Sequence, residues 1–251
     1  MADHVQSLAR GLAVIRAFSA VSPALTLSDV ARATGLTRAA ARRFLLTLTD
    51  LGYVRNDGRL FSLTPRVLEL GYAYLSSLSL PEVAAPHLER LAADVHESAS
   101  VAVLDGEDVV YVARVATARI MRVTISIGTR FPAYCTSMGR VLLAALPPAA
   151  LDAYLTRARL RPLTARTITQ PPALHAELDL VRAQGWAMVD QELEEGLRSL
   201  AVPIRDRSGT TVAAVNVSTH ASRMTLAQAR RDLLPRLQAT ATYIEADLTP
   251  S

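Results

Sequence analysis

Thr26-Leu27-Ser28-Asp29-Val30-Ala31-Arg32-Ala33-Thr34-Gly35-Leu36-Thr37-Arg38-Ala39-Ala40-Ala41-Arg42-Arg43-Phe44-Leu45-Leu46-Thr47-Leu48 reads as two helices joined by a sharp turn. Thr26 to Asp29 is a capping box: the Thr26 hydroxyl accepts from the third helical amide and Asp29 bonds back to the cap amide. Val30, Ala31 and Ala33 give this helix an apolar side, and Gly35 lets the chain turn without a Cβ clash. A second helix starts at Thr37. At about 100° per residue Ala41, Phe44, Leu45 and Leu48 share one arc, which leaves Ala39 and Arg43 opposite the core, Arg42 beside them and Arg38 near the boundary. Leu46 falls outside that arc and is expected to pack against a neighbouring element.

Working outward, Tyr53 to Leu63 has two β-prone arms around an Asn56-Asp57-Gly58 tip, a hairpin signal. Upstream, Leu8, Leu12, Ile15 and Phe18 lie near helical spacing, so a first helix over Ser7 to Phe18 is expected to cover the other two. Cap, turn, basic helix and hairpin in that order form a winged helix-turn-helix over residues 1–64. The recognition helix of such a unit reads base edges with its N-terminal residues, and guanidinium groups suit guanine edges and phosphates. Thr37, Arg38, Ala39, Arg42 and Arg43 are therefore the expected groove residues, with Arg55, Asn56 and Arg59 of the wing near phosphate. Any one of these arginines alone is more often a solvated helix face; their combination within one short segment favours double-stranded DNA as partner.

Charge agrees. Residues 1–66 hold nine arginines against four acids, a net of +5, whereas the remainder nets −1. All 27 basic residues are arginine, which carries no functional weight. The 251 residues and 50% hydrophobic content support two modest domains with real cores. The single cysteine, Cys135, excludes an intramolecular disulfide and a cysteine-rich zinc site, so neither metal nor cofactor is expected. Met1-Ala2-Asp3-His4 lacks a signal-peptide pattern and no run of about eighteen apolar residues occurs, so a cytoplasmic protein without membrane association is expected.

Thr64-Pro65 caps a further apolar helix, a linker over residues 65–80 and a candidate dimerisation element. Residues 81–251 change texture. A helix from Glu82 precedes a hairpin (Ala99–Leu104 and Val109–Val115), a third strand over Ile120–Ile127, a loop over Thr129–Tyr134 and a helix over Thr136–Ala145. Helices over Pro148–Leu155 and Ala173–Gln184 follow, then strands Trp186–Asp190, Leu200–Arg205 and Thr211–Ser218 and one closing helix, Leu226–Ala246. Strands mixed with helices on one side imply an α+β sheet domain.

Three stretches carry a family resemblance: Gly35 to Leu45, Ser126 to Arg140 (Ser-Ile-Gly-Thr-Arg-Phe-Pro-Ala-Tyr-Cys-Thr-Ser-Met-Gly-Arg) and Asp190 to Pro203. Along nearly its full length the chain resembles the isocitrate lyase regulator (IclR) family of bacterial transcription regulators, and Tyr134 to Arg140 looks like the branch that controls aromatic-acid catabolism through the β-ketoadipate pathway. The resemblance implies a GAF-like α/β effector-binding domain and homodimers that often pair into tetramers. It implies a regulator rather than an enzyme, in which effector binding changes the spacing or mobility of the two DNA-binding domains. By motif position the loop Tyr134, Cys135, Thr136, Ser137, Met138 lines a small-ligand pocket facing Leu197, Ser199, Asn216 and Ser218, with Asp190 beside it. Other members have small residues or alanine at Ser137 and Met138, cysteine at Ser199 and serine at Asn216. Those departures disfavour a glyoxylate- or pyruvate-type ligand, whereas Tyr134 and Met138 suit an aromatic ring.

Thr136 and Ser137 enter a helix, where a carboxylate can sit on free N–H groups; they serve equally well as ordinary caps. Arg122 and Arg198 are candidate carboxylate partners, and Arg198 is as readily a structural salt bridge with Asp190 or Glu194. Cys135 reads as a small buried hydrophobe. The enzymatic alternative takes Cys135 as nucleophile with His87, His96, His175 or His220 as base, but no catalytic motif flanks it. A winged helix used only for dimerisation is disfavoured by the +5 charge.

Overall fold

The computed structural model describes residues 5–70, 80–117 and 125–248, and the chain divides into two compact units, residues 1–77 and 78–251. In the first, α1 (Gln6–Arg16), α2 (Leu27–Thr34) and α3 (Arg38–Asp50) pack around Val14, Phe18, Val30, Ala41, Leu45 and Leu48. The capping box forms: Asp29 N donates to Thr26 Oγ1 at 3.3 Å and Thr26 N donates to Asp29 Oδ2 at 3.2 Å. Gly35 closes α2 in the left-handed conformation at φ 66°, with Leu36 N returning to Ala31 O.

The hairpin β2 (Val54–Asn56) and β3 (Leu60–Leu63) is joined by β1 (Ala24–Thr26), giving an antiparallel order β1-β3-β2. Three residues are too few for β1 to show as an alternation in sequence. The first helix departs from expectation. Leu8 and Leu12 are exposed at 63% and 49%, and the core takes Val14 instead. Val5, Leu8 and Leu12 thus form an outward apolar stripe at helical spacing. Of the expected linker helix, Pro65–Val67 is a 3₁₀ turn capped by Thr64 and residues 68–70 continue helically; residues 71–79 lie outside the described residues.

Among the described residues the second unit forms a six-stranded antiparallel sheet ordered β6-β5-β4-β9-β8-β7. Its strands are β4 (Ser98–Asp105), β5 (Asp108–Val115), β6 (Arg130–Pro132), β7 (Ala187–Asp190), β8 (Leu197–Arg205) and β9 (Thr211–His220). Helices cover both faces, which corrects the one-sided arrangement expected. On one face α4 (Leu80–Val95), α8 (Leu226–Asp232) and α9 (Leu234–Asp247) bury Leu88, Leu91, Leu200, Val202, Val215, Val217, Leu237 and Ile244. On the other, α5 (Ser137–Ala144), α6 (Pro148–Arg157) and α7 (Pro171–Gln184) bury Ala102, Tyr111, Ala201, Ala214, Leu143, Tyr154 and Leu178. The period of two along each strand supplies both apolar faces.

Of the strand expected over Ile120–Ile127, residues 120–124 lie outside the described residues and 125–127 are not extended sheet. The loop expected over Thr129–Tyr134 instead contains β6, paired with β5 from Asp108 to Val110. The closing helix breaks at Leu233 because Pro235, at the start of α9, has no N–H to continue the ladder.

The seat of α5 depends on Gly139. A Cβ there would lie 2.1 Å from Ala133 O, so only glycine lets the helix ride this close to the preceding 3₁₀ turn, Ala133–Cys135. Backbone cannot swing aside as a flexible side chain does. Gly139→Ala is expected to cost at least the roughly 1–3 kcal/mol of ordinary overpacking. At about 2–4 °C per kcal/mol for a unit of this size, a melting point unchanged in a thermal scan would show that the turn yields freely.

Candidate functional site

On the first unit Thr37 caps α3, its hydroxyl accepting from Ala40 N at 3.2 Å. Arg38, Ala39, Arg42 and Arg43 then stand exposed on the first turns of the helix. Leu46 is half-buried. No side-chain hydrogen bond or ion pair engages Arg38, Arg42, Arg43 or Arg59 among the described residues, whereas Arg55 Nε donates to Ser62 Oγ at 2.8 Å. The wing tip is held by its own side chains: Asp57 Oδ1 accepts from Leu60 N at 2.7 Å and Arg59 N at 3.2 Å, and Asn56 Oδ1 accepts from Gly58 N. Those backbone N–H groups keep the Asp57 carboxyl below its ordinary pKa. A helix bearing four outward N-terminal positions and a rigid basic hairpin is a surface matched to duplex DNA.

On the second unit a small cavity lies between the sheet and the entry to α5, lined by Tyr111, Cys135, Thr136, Ser137, Val189, Leu193, Leu197, Ser199, Asn216 and Ser218. Its free volume of about 10 Å³ is close to what one water needs, so a larger guest must push the walls apart. The cavity is lined by buried polar groups of which two lack partners: Ser137 Oγ and Asn216 Oδ1 make no hydrogen bond, though Ser137 is 1% and Asn216 3% exposed. An unsatisfied buried group costs about 1–3 kcal/mol, which a polar ligand would offset.

Seven of the residues expected at a pocket therefore meet there: Cys135, Thr136, Ser137, Leu197, Ser199, Asn216 and Ser218. Tyr134, Met138 and Asp190 do not. Tyr134 Oη donates to Arg161 O at 2.8 Å and accepts from Arg161 N at 3.0 Å, which turns its ring toward the connection after α6. Met138 is fully buried among the residues under α5, because one step along a helix rotates the side chain about 100° from Ser137. Asp190 alternates with Val189 on β7 and so faces the other way. It pairs across the strands with Arg198, Oδ1 lying 2.7 Å from Nη2, and its Oδ2 also binds Arg166. Arg198 further donates to Met224 O, so the salt-bridge reading of Arg198 holds and its effector reading does not. Arg122 lies outside the described residues.

Tyr111, Val189 and Leu193 line the cavity without having been singled out in the sequence. Alternation in β5 and β7 puts Tyr111 and Val189 on one face, but only the sheet order says which face meets α5. Around the cavity Arg140, 1% exposed, spans its two rims. Its Nε donates to Tyr134 O at 3.1 Å and its Nη2 to Glu192 Oε2 at 2.6 Å.

Cys135 has none of the surroundings of a nucleophile. Burial, with Glu192 nearby, pushes its thiol up to about 12. His87 is held by Asp247 and Arg90, His175 by Asp179 and His220 by Ser222. No group of three metal-ligating side chains comes together, and no helix is long and apolar enough to cross a membrane, among the described residues.

A DNA-reading helix and wing in one unit and an enclosed polar cavity in the other define a ligand-responsive transcription regulator. Residues 7–58 match the IclR helix-turn-helix domain and residues 72–246 the C-terminal domain of the bacterial transcriptional regulator IclR. The chain belongs to the IclR family of bacterial transcriptional regulators. It is 52% identical to the Pca regulon regulatory protein of Pseudomonas putida over 94% of this chain and 82% of that one. A Rhodococcus sp. RHA1 protein of known crystal structure is 64% identical, covers 98% of both chains and superposes with a TM-score of 0.88. An IclR homolog from Microbacterium hydrocarbonoxydans, crystallised with 4-hydroxybenzoate, is 27% identical over 97% of this chain and 99% of that one, with a TM-score of 0.86.

Because Cys135 is neutral up to about 12, the native protein should resist iodoacetamide at about pH 8 and react only on unfolding. The raised folded-state pKa makes its contribution to stability complete below the free-thiol value and lost as pH climbs toward about 12. Rapid alkylation without unfolding, followed by mass spectrometry, would contradict the burial.

Proposed function

We propose that the protein binds operator DNA as a homodimer in the cytoplasm and controls genes of aromatic-compound catabolism, its operator binding set by a small aromatic acid held in the cavity beside α5. The observation that carries this reading is the cavity itself, enclosed, half apolar through Tyr111, Val189, Leu193 and Leu197, and lined by the unpartnered Ser137 Oγ and Asn216 Oδ1. That mixture suits a ring bearing polar substituents. Support comes from the Pca regulon relative and from the 4-hydroxybenzoate bound by the Microbacterium homolog. For the dimer, support lies in the exposed Val5, Leu8 and Leu12 stripe of α1, since an apolar stripe left in water marks a contact surface.

Operator binding should weaken with salt by about 0.9 logarithmic units per tenfold change for each phosphate neutralised. A flat dependence in a fluorescence-anisotropy titration would sink the interface. Arg43→Ala should cost about 1–3 kcal/mol and relax sequence preference, while Arg59→Ala should weaken all sequences evenly.

For the effector, a thermal-shift series with benzoate, 4-hydroxybenzoate and protocatechuate is the direct measurement. A ligand at a hundredfold excess over its Kd should raise apparent stability by about 2.7 kcal/mol. No shift with any aromatic acid would overturn the assignment of ligand class.

A further inference from the structure

Among the described residues, arginines in the interior of the second unit are paired with acids, except one. Arg140 meets Glu192 and Glu177, and Arg198 meets Asp190. Arg114, half-buried on β5, has no carboxylate partner among the described residues. Its Nη1 donates to Ser100 Oγ at 3.0 Å, and its Nε is buried without any hydrogen bond. A guanidinium presents Nε and the outer Nη as a side-on fork for a carboxylate. With Nη1 committed to Ser100, that edge is the one left unused.

The position of Arg114 ties it to the cavity. Its cross-strand partner is Ser100 on β4, and the partner of Ser100 on β9 is Asn216. The three side chains therefore form one polar row on the face that carries α5, ending at a cavity-lining residue whose Oδ1 is also unpartnered. The next row repeats the pattern, because Ser218 of β9 pairs with Ser98 on one side and Ser199 on the other. Tyr111 lines the cavity and also interacts electrostatically with Arg114, whose pKa burial draws down from the ordinary arginine value. Serines, an asparagine and an arginine in rows across the middle of a helix-covered sheet are costly unless something polar completes them.

We propose that Arg114 is the carboxylate anchor of the effector site, selecting a monoanionic acid over its neutral amide. It rests on the reading that this cavity holds the effector. The acid lies across β4 and β9, its carboxylate on the Nε edge of Arg114. Its apolar body lies against Tyr111, Leu193 and Leu197, and a hydrogen-bonding substituent reaches Asn216 and Ser137. One unpaired cation accommodates one carboxylate, so a second negative charge on the ligand finds no partner in this row.

The test is calorimetric titration of the full-length protein with 4-hydroxybenzoate and with 4-hydroxybenzamide, a neutral ligand of nearly the same shape. The wild type should prefer the acid. Arg114→Gln should weaken the acid by at least about tenfold, the scale of a charged hydrogen bond, leave the amide unchanged and so erase the preference. Arg114→Lys keeps the charge without the fork and should give an intermediate ratio; it serves for the comparison if the glutamine variant does not fold. An acid-to-amide ratio that survives in the variant overturns the anchor while leaving the effector site standing. A wild type that binds neither ligand nor any other aromatic acid overturns the effector reading itself, and the anchor with it.

Discussion

The buried guanidinium of Arg140 is the interaction on which the effector unit turns. It is 1% exposed and binds Tyr134 O, Glu192 and Glu177, so the turn before α5, the loop after β7 and helix α7 converge on one cation. Glu192 in turn accepts from Ile168 N at 3.0 Å, which draws in the long connection between α6 and α7. Two charges this deep are tolerated only because each is paired and hydrogen-bonded; either left alone would cost several kcal/mol. Gly139, one residue earlier, permits the close approach that the ion pair then locks. Both rims of the cavity are positioned by this pair of neighbours, one through what it binds and the other through the side chain it lacks.

The two units use the same residue type in opposite ways. On α3 and at Arg59 of the wing, arginines stand in water with no side-chain partner among the described residues, where contact with a phosphate backbone displaces counterions and gains most. In the effector unit, Arg140 fastens a turn, a loop and a helix through acids 37 and 52 residues along the chain, and Arg198 ties β8 to β7 through Asp190. Arg114 departs from that second pattern, and its departure coincides with a row of buried polar side chains. Unpaired polarity inside a packed layer marks a place built for something that is not always there.

The DNA-binding unit was legible because its signals are local. The Thr26–Asp29 box, the Gly35 turn and the Asn56-Asp57-Gly58 tip each act over a few residues, and all formed. α1 was legible as a helix but not in its orientation: Leu8 and Leu12 have the spacing of a core face and nonetheless point to solvent. Helical periodicity identifies a stripe and says nothing about whether this chain or another covers it. The break before α9 was there to be read at Pro235, and the strand at Arg130–Pro132 was hidden because three residues show no alternation.

By itself the sequence determined most of the longer helices and strands, the two-part organisation, the basic recognition helix and, through the Tyr134 to Arg140 motif, the neighbourhood of the cavity beside α5. Tertiary structure decided which side chains enter that cavity. Tyr134, Met138 and Asp190 sit one residue from lining positions and point elsewhere, while Tyr111, Val189 and Leu193 arrive from separate segments. The physical reason is that a strand alternates with period two and a helix turns by about 100° per residue. Local sequence therefore specifies that neighbours face different ways, but which way is inward depends on the layer packed against them. Partner choice for buried charge obeys the same limit, since Arg140 and Glu192 are 52 residues apart and meet only once the sheet and its helices have closed around them.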